Sequence, residues 1–188
     1  MSPHTLQLIN APRGSRGGSR VRRTGFTLIE ILIVVVILGI LAAIVVPELS
    51  SASRQARENV LKDDLRFMRE QITRYRIQHD DVPPGYPGGS IVAVPSETDF
   101  INQMIRYTDV RGGTAAAYTE VFRYGPYLTR IPDNPLTGIA AVLVVPNGAA
   151  IPAPDKNQPY GWMYKPETME FVPNSPGTDL DGKAYRNY

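Results

Sequence analysis

Hydrophobic and polar positions fall into three regimes along the chain. Residues 26–46, FTLIEILIVVVILGILAAIVV, are predominantly apolar, with Glu30 the one charge in 21 positions. As a helix they would be about 31 Å long, against a hydrocarbon thickness of about 30 Å. Beyond Pro47 the pattern becomes amphipathic. Leu49, Ala52, Ala56, Val60, Leu61, Leu65, Met68, Ile72 and Tyr75 recur at three- and four-residue steps, which is helical spacing. Arg54, Glu58, Lys62, Arg66, Glu70 and Arg74 follow four apart on the other side, and Glu58/Lys62 and Glu70/Arg74 are favourable pairs of about 0.3 kcal/mol each. The pattern predicts one helix to about His79, stopped by Asp80-Asp81-Val82-Pro83-Pro84-Gly85. A kink or melted stretch is expected at Pro47, where proline removes a backbone donor and crowds the preceding turn.

The third regime is rich in proline and glycine. Residues 82–95 read as loop with a short strand at Ile91–Val94. Ser96 has the look of an N-cap, followed by a helix whose face is Phe100, Ile101, Met104 and Ile105. Residues 109–117 read as loop, and 118–124 suit strand and helix equally. Ile139–Val145 reads as a strand, and Trp162–Tyr164 with Met169–Val172 as a hairpin turning at Lys165–Thr168. The helix stripe needs a cover, which the hairpin supplies by laying Trp162 or Tyr164, and Phe171, on it. The fold class is therefore α+β: a long N-terminal helix packed on a small C-terminal antiparallel sheet. Four segments follow: 1–25, 26–47, 48–80 and 81–188.

Charge refines this division. The 188 residues carry 20 Lys and Arg against 18 Asp and Glu. Five of the arginines, and none of the acids, lie in residues 1–25, giving +5 there and 15 − 18 = −3 over residues 26–188. The basic leader is too polar to build a core and reads as disordered. Its charge, just before an apolar run, places that end on the cytoplasmic side. Residues 54–76 hold seven basic and four acidic side chains, a solvated helix face rather than a nucleic-acid site. With no cysteine, a disulfide framework, a thiolate metal site and a Cys nucleophile are all excluded.

The apolar run admits three readings. A secretory signal peptide would use Ser51-Ala52-Ser53 for cleavage, but the run exceeds the usual apolar stretch of roughly 7–15 residues. A plain signal anchor is the second. The third turns on Glu30, because a carboxylate in hydrocarbon costs several kcal/mol. No Lys or Arg lies between Phe26 and Val46. A partner cation must come from outside the run, or from an α-amino group made by cleavage before Phe26.

Arg22-Arg23-Thr24-Gly25-Phe26-Thr27-Leu28-Ile29-Glu30 resembles the processing site of the type IV pilin and pseudopilin superfamily: a basic leader ending in glycine, then Phe, then Glu at the fifth mature position, opening a long apolar helix. The resemblance implies cleavage between Gly25 and Phe26 by a prepilin peptidase and N-methylation of Phe26. A mature chain of 188 − 25 = 163 residues would remain. It implies that Glu30 pairs with the terminal amine of a neighbouring subunit, and that Pro47 stands where the family often disrupts its helix. Implied partners are the peptidase, an assembly ATPase with its inner-membrane platform, and other pseudopilins, in a homo-oligomeric filament. The implied location is the bacterial inner membrane as a single pass, with the N-terminus cytoplasmic before processing and the C-terminal domain periplasmic.

Gly125-Pro126-Tyr127-Leu128, followed by Ile131-Pro132-Asp133-Asn134-Pro135, is similar to a stretch of the major pseudopilins of type II secretion. Those proteins close with a Ser-x-Gly-x-Asp-Gly loop that binds calcium. Here Ser175, Gly177 and Asp179 match, Leu180 stands in place of the glycine, Asp181-Gly182 follow, and no acid occurs in 183–188. Calcium takes six to eight oxygens, so Asp179 and Asp181 with backbone carbonyls would make a weak site. No other cofactor is implied. Catalysis is not expected either. His4 and His79 form no pair or triad, and neither Gly88-Gly89 nor Gly112-Gly113 opens a phosphate loop. The reading is a structural pseudopilin of type II secretion. The alternatives are a type IV pilin for adhesion, motility or DNA uptake, and a membrane-anchored periplasmic enzyme or binding domain. Many type IV pilins carry a C-terminal disulfide, which this cysteine-free chain lacks.

Overall fold

A computed structural model describes residues 25–188. Of the expected leader only Gly25 lies within them. The described chain divides into two compact units, one ending at Val45 and one running from Val46 to Tyr188. A single helix, α1 (Leu28–Gln78), supplies residues to both. Its backbone is helical at position 47, so the melted stretch expected at Pro47 is not observed. A proline withholds one donor from the helical ladder, and a long helix with bonded turns on either side tolerates the gap.

In the first unit the residues from Phe26 to Val45 are exposed, and none of the described residues covers the apolar run. The helix is long and apolar enough to cross a membrane.

The second unit is built on the lower part of α1. Its buried stripe is Glu58, Leu61, Leu65, Met68, Ile72, Tyr75 and His79, with alternating steps of three and four. Apolar periodicity thus locates the middle of the stripe. It misplaces the upper end, where Leu49, Ala52, Ala56 and Val60 are exposed and the acid Glu58 is only 3% exposed. The expected i,i+4 pairs are also re-sorted. The bridges formed are Arg54–Glu58 and Arg66–Glu70, both at 3.0 Å, because Glu58 turns toward the protein rather than along the solvated face.

Helix α2 (Glu97–Ile105) starts at Ser96, whose hydroxyl accepts the Asp99 amide at 3.0 Å, as the sequence predicts. Phe100 and Met104 are buried against the α1 stripe, with Ile101 and Ile105 partly so. Two strands of two residues, β1 (Tyr107–Thr108) and β2 (Thr114–Ala115), pair antiparallel. Residues 118–124 form neither helix nor strand beyond a bridge from Tyr124 to Thr108. The strand expected at Ile91–Val94 is absent. Ala93 N–H closes a turn on Ser90 O, and Val92 is 89% exposed. Flanked by Pro87-Gly88-Gly89 and Pro95, the segment has no partner strand.

The larger sheet holds β3 (Val142–Val144), β4 (Trp162–Lys165) and β5 (Glu170–Pro173), in that order. The hairpin β4–β5 is antiparallel, as expected. Strand β3 is parallel to β4, so the sheet is mixed rather than antiparallel throughout. Residues 145–161 form the return connection, longer than the dozen or so residues a parallel crossover requires. Alternation sorts the faces. Trp162, Tyr164 and Phe171 join the α1 stripe in the main core, while Met163 and Val172 cover Val145 and Ile151 on the other side. Losing the Trp162 side chain would cost about 3–5 kcal/mol.

The turn-rich stretch 125–135 fastens these layers. Tyr127 and Leu128 N–H both donate to Met104 O at 2.9 Å, and the Tyr127 hydroxyl donates to Gln78 Oε1 at 2.6 Å. Trp162 Nε1–H donates to Pro132 O at 2.8 Å. Buried Asn134 donates from Nδ2 to Gly161 O and Ser175 Oγ, at 2.8 and 3.0 Å. Gly161 admits no side chain, because a Cβ there would run into the Ile139 carbonyl.

Candidate functional site

The expected processing site, Gly25 and Phe26, lies at the start of the described chain. Residues 25–27 are irregular, and Gly25 and Phe26 are exposed, Phe26 by 81%. Among the described residues, a Cβ at Gly25 would meet nothing within 4 Å. Two residues later α1 begins, and its first turn forms a reciprocal cap. Thr27 N–H and the Thr27 hydroxyl both donate to Glu30 Oε2 at 2.7 Å, and Glu30 N–H donates to Thr27 Oγ1 at 3.3 Å. This is a capping box, with Thr27 at the N-cap and Glu30 at N3. Glu30 is therefore held against Thr27, the residue after Phe26, by the cap of its own helix. Among the described residues only Oε2 is engaged, which leaves Oε1 open to a donor from elsewhere. The signal for Thr27 was legible as Thr-x-x-Glu before an apolar run, but the family motif directs attention to Phe26 and Glu30 and passes over it. Position 47 lies well inside α1, remote in sequence from this cap.

The second sequence-predicted site, around Asp179 and Asp181, is in the other unit. Asp181 is exposed and Asp179 is 6% exposed. Asp179 Oδ1 accepts the amides of Asp181 and Lys183, at 3.0 and 2.8 Å. Its Oδ2 accepts the Tyr188 hydroxyl at 2.8 Å and faces the Lys62 ammonium at 3.9 Å. The Tyr188 hydroxyl, with the two amides and Lys62, holds the Asp179 carboxyl below its ordinary range. Among the described residues no three His, Cys, Asp or Glu side chains cluster as a metal would require. With three hydrogen bonds and an ammonium 3.9 Å away, Asp179 is already engaged, and a calcium ion would have to displace these partners to reach it. Asp179 and Asp181 come together only through the Asp181 amide. Sequence reasoning missed Lys62 and Tyr188 here, because nothing local links residue 62 to residue 179.

A buried polar cluster closes the far end of the α1 stripe. His79 stacks on Tyr75 with centroids 3.7 Å apart. Its Nδ1 lies 2.7 Å from Tyr75 O and its Nε2 lies 2.9 Å from Thr108 Oγ1. The Nδ1 contact requires the proton there, since a carbonyl only accepts. Burial pushes the His79 pKa down, against the Tyr75 carbonyl and the charges of Asp109 and Asp80. Burial likewise pushes the Tyr127 hydroxyl up to about 12. His79, Tyr75 and Thr108 are enclosed and pack on one another, whereas Tyr127 borders a surface hollow with Arg74, Gln78 and Tyr124.

Residues 20–46 match a family model described as the prokaryotic N-terminal methylation motif. The chain is 30% identical over 115 residues to type II secretion system core protein G of Aeromonas hydrophila, an alignment covering 61% of this chain and 68% of that protein. It is 44% identical over 69 residues to the protein of the same name in Pseudomonas aeruginosa, covering 37% of this chain and 49% of the relative. The fimbrial protein of a Neisseria meningitidis strain is 32% identical over 95 residues, covering 50% of this chain and 53% of that protein. The chain thus spans about half the length of the last two relatives and two thirds of the first. No solved structure gives a significant match. A methylation motif on a long apolar helix, followed by a small α+β unit, defines the pilin-like class. Within it, the chain belongs to the family of type II secretion system core protein G, the pseudopilins.

Proposed function

We propose that this chain is a structural subunit of a filament in type II protein secretion, processed between Gly25 and Phe26, N-methylated at Phe26 and assembled through α1. The observation that carries the reading is the position of Glu30. Its carboxylate sits in an otherwise uncharged, uncovered apolar run, capped on one oxygen and open on the other. Apolar side chains exchange lipid for neighbouring helices at little net cost, so packing and polar pairing decide association. A buried carboxylate without a partner is strongly unfavourable, whereas a carboxylate facing a freed α-amino group is compensated. The pair therefore selects axial register: only one stagger of adjacent helices brings a Phe26 amine to Glu30.

On this reading the basic leader stays cytoplasmic, α1 passes the inner membrane once, and the second unit lies in the periplasm. The partners are a prepilin peptidase, an assembly ATPase with its membrane platform, and other pseudopilins. The relatives' names describe secretion and fimbrial proteins, and the reading is of a subunit rather than an enzyme. A type IV pilin is the second reading, favoured by the similarity to the neisserial fimbrial protein.

Mass spectrometry of the membrane-extracted protein tests the processing step. An N-methyl-Phe26 terminus is expected. Retention of residues 1–25 would overturn the reading, and a terminus near Gln55 would replace it with a secreted domain.

A further inference from the structure

The C-terminal segment returns to α1 at three successive turns. Arg54, Glu58 and Lys62 are four residues apart and so share one helix face. Arg54 Nη2–H donates to Thr178 O at 2.6 Å. Glu58 Oε1 accepts from Arg54 Nε at 3.0 Å and from the Tyr185 hydroxyl at 2.9 Å. Lys62 lies 3.9 Å from Asp179 Oδ2, and its ammonium stands 4.6 Å from the centroid of the Tyr188 ring. The tail is also closed on itself. Asp179 N–H donates to Lys183 O at 2.9 Å, and Tyr185 N–H donates to Gly177 O at 3.2 Å.

A bent acidic loop needs its carboxylate charge balanced, and a divalent cation is one way to do it. Here the balancing charge comes from the protein. Lys62 projects from a helix fixed by its own core contacts at Leu61 and Leu65, so its stem starts from a fixed point within reach of Asp179. The Asp179 oxygens already accept from two amides and the Tyr188 hydroxyl. A cation entering beside Oδ2 would meet a like charge and would have to evict the Tyr188 hydroxyl. Calcium sites gain affinity from the number of charged ligands, and the one buried carboxylate here is already engaged. Lys183 adds a second ammonium on the Tyr188 ring, 5.4 Å from its centroid.

We propose that Lys62 takes the place of a divalent cation in this chain: its ammonium, with Tyr188, locks the loop around Asp179 onto α1, and the tail closes without calcium. This goes beyond the assembly reading and does not rest on it, since the clasp lies within one subunit.

The test uses the full chain in detergent, with thermal unfolding followed by Trp162 fluorescence and tail closure by the rate of limited proteolysis within residues 177–188. Wild-type protein is measured in chelator and in about 5 mM calcium, well above the dissociation constants of about 0.1–1 mM typical of weak calcium modules. The two conditions should give the same midpoint and the same cleavage rate. A midpoint raised by calcium, or cleavage quickened by chelator, overturns the proposal, because a ligand bound only to the folded state must stabilise it. Lys62→Met keeps the aliphatic stem and removes the ammonium, and tail cleavage should rise about fivefold or more. An unchanged rate in that variant also overturns it. Lys62→Arg keeps the charge and should stay within about twofold of wild type. If Lys62→Met does not fold, the calcium comparison and Lys62→Arg still decide the question. Neither outcome alters the N-terminal mass, so failure here is distinct from failure of the assembly reading.

Discussion

The Tyr185 hydroxyl donates to Glu58 Oε1 at 2.9 Å, joining residues 127 positions apart and placing a carboxylate where the helix pattern would put a leucine. The contact explains why Glu58 is buried and why the α1 stripe ends in an acid. Glu58 is also bridged to Arg54, whose side chain is about half exposed. Glu58→Ala should destabilise the second unit by about 1–3 kcal/mol, since it strands the Tyr185 hydroxyl in a dry site. Glu58→Leu should cost less than Glu58→Ala where it is paired with Tyr185→Phe, because both polar partners are then removed together. Denaturant midpoints of the three proteins check the order.

Thr27 and Glu30 form the cap at the other end of α1. Thr27→Ala removes the hydroxyl from the box and should loosen the first turn by about 1 kcal/mol, with membrane insertion unchanged. Glu30→Ala removes both the cap acceptor and the proposed register partner. Incorporation into filaments should fall far more for Glu30→Ala than for Thr27→Ala, while both proteins remain in the membrane fraction. Equal assembly of Glu30→Ala and wild type would count against the register role.

His79 makes stability depend on pH. Its folded pKa is depressed by burial below the ordinary 6.5, so below that value the unfolded chain binds a proton that the folded chain refuses. The stability associated with neutral His79 is fully present above pH 6.5 and is lost as pH falls toward the folded value. Urea midpoints of the detergent-solubilised chain should therefore decline from about pH 7 to about 5.5, and His79→Gln should flatten that decline. A wild-type slope equal to that of His79→Gln would contradict this account.

Gly161→Ala should be among the most damaging single-methyl changes in the chain. The added Cβ meets a backbone carbonyl, that of Ile139, which cannot rotate away as a side chain could. Displacing it disturbs the Asn134 contacts that join the 125–135 stretch to β4 and the tail. A loss of about 2 kcal/mol or more is expected, against well under 1 kcal/mol for Gly138→Asn, where a side chain meets open space and the backbone is left-handed. Thermal midpoints of the two variants make the comparison.

The sequence by itself determined the elements that depend on local periodicity. The apolar run, the amphipathic stretch ending at Gln78, the Ser96 cap and the β4–β5 hairpin are all set by neighbours within a few residues. The inward placement of Trp162, Tyr164 and Phe171 follows from strand alternation. The processing proposed at Gly25 and Phe26 likewise rests on consecutive residues. What needed the tertiary structure are relations between distant segments. Strand β3 runs parallel to β4 because a long irregular crossover returns the chain in the same direction, and no periodicity encodes that. Ile91–Val94 has strand composition yet no partner, and an extended segment without a ladder has nothing to hold it. Glu58 and Lys62 read as solvated charges until the tail folds back over them. The burial of Glu58 and the pairing of both are decided by Tyr185, Asp179 and Tyr188, whose approach is set by the packing of the whole second unit rather than by the helix they meet.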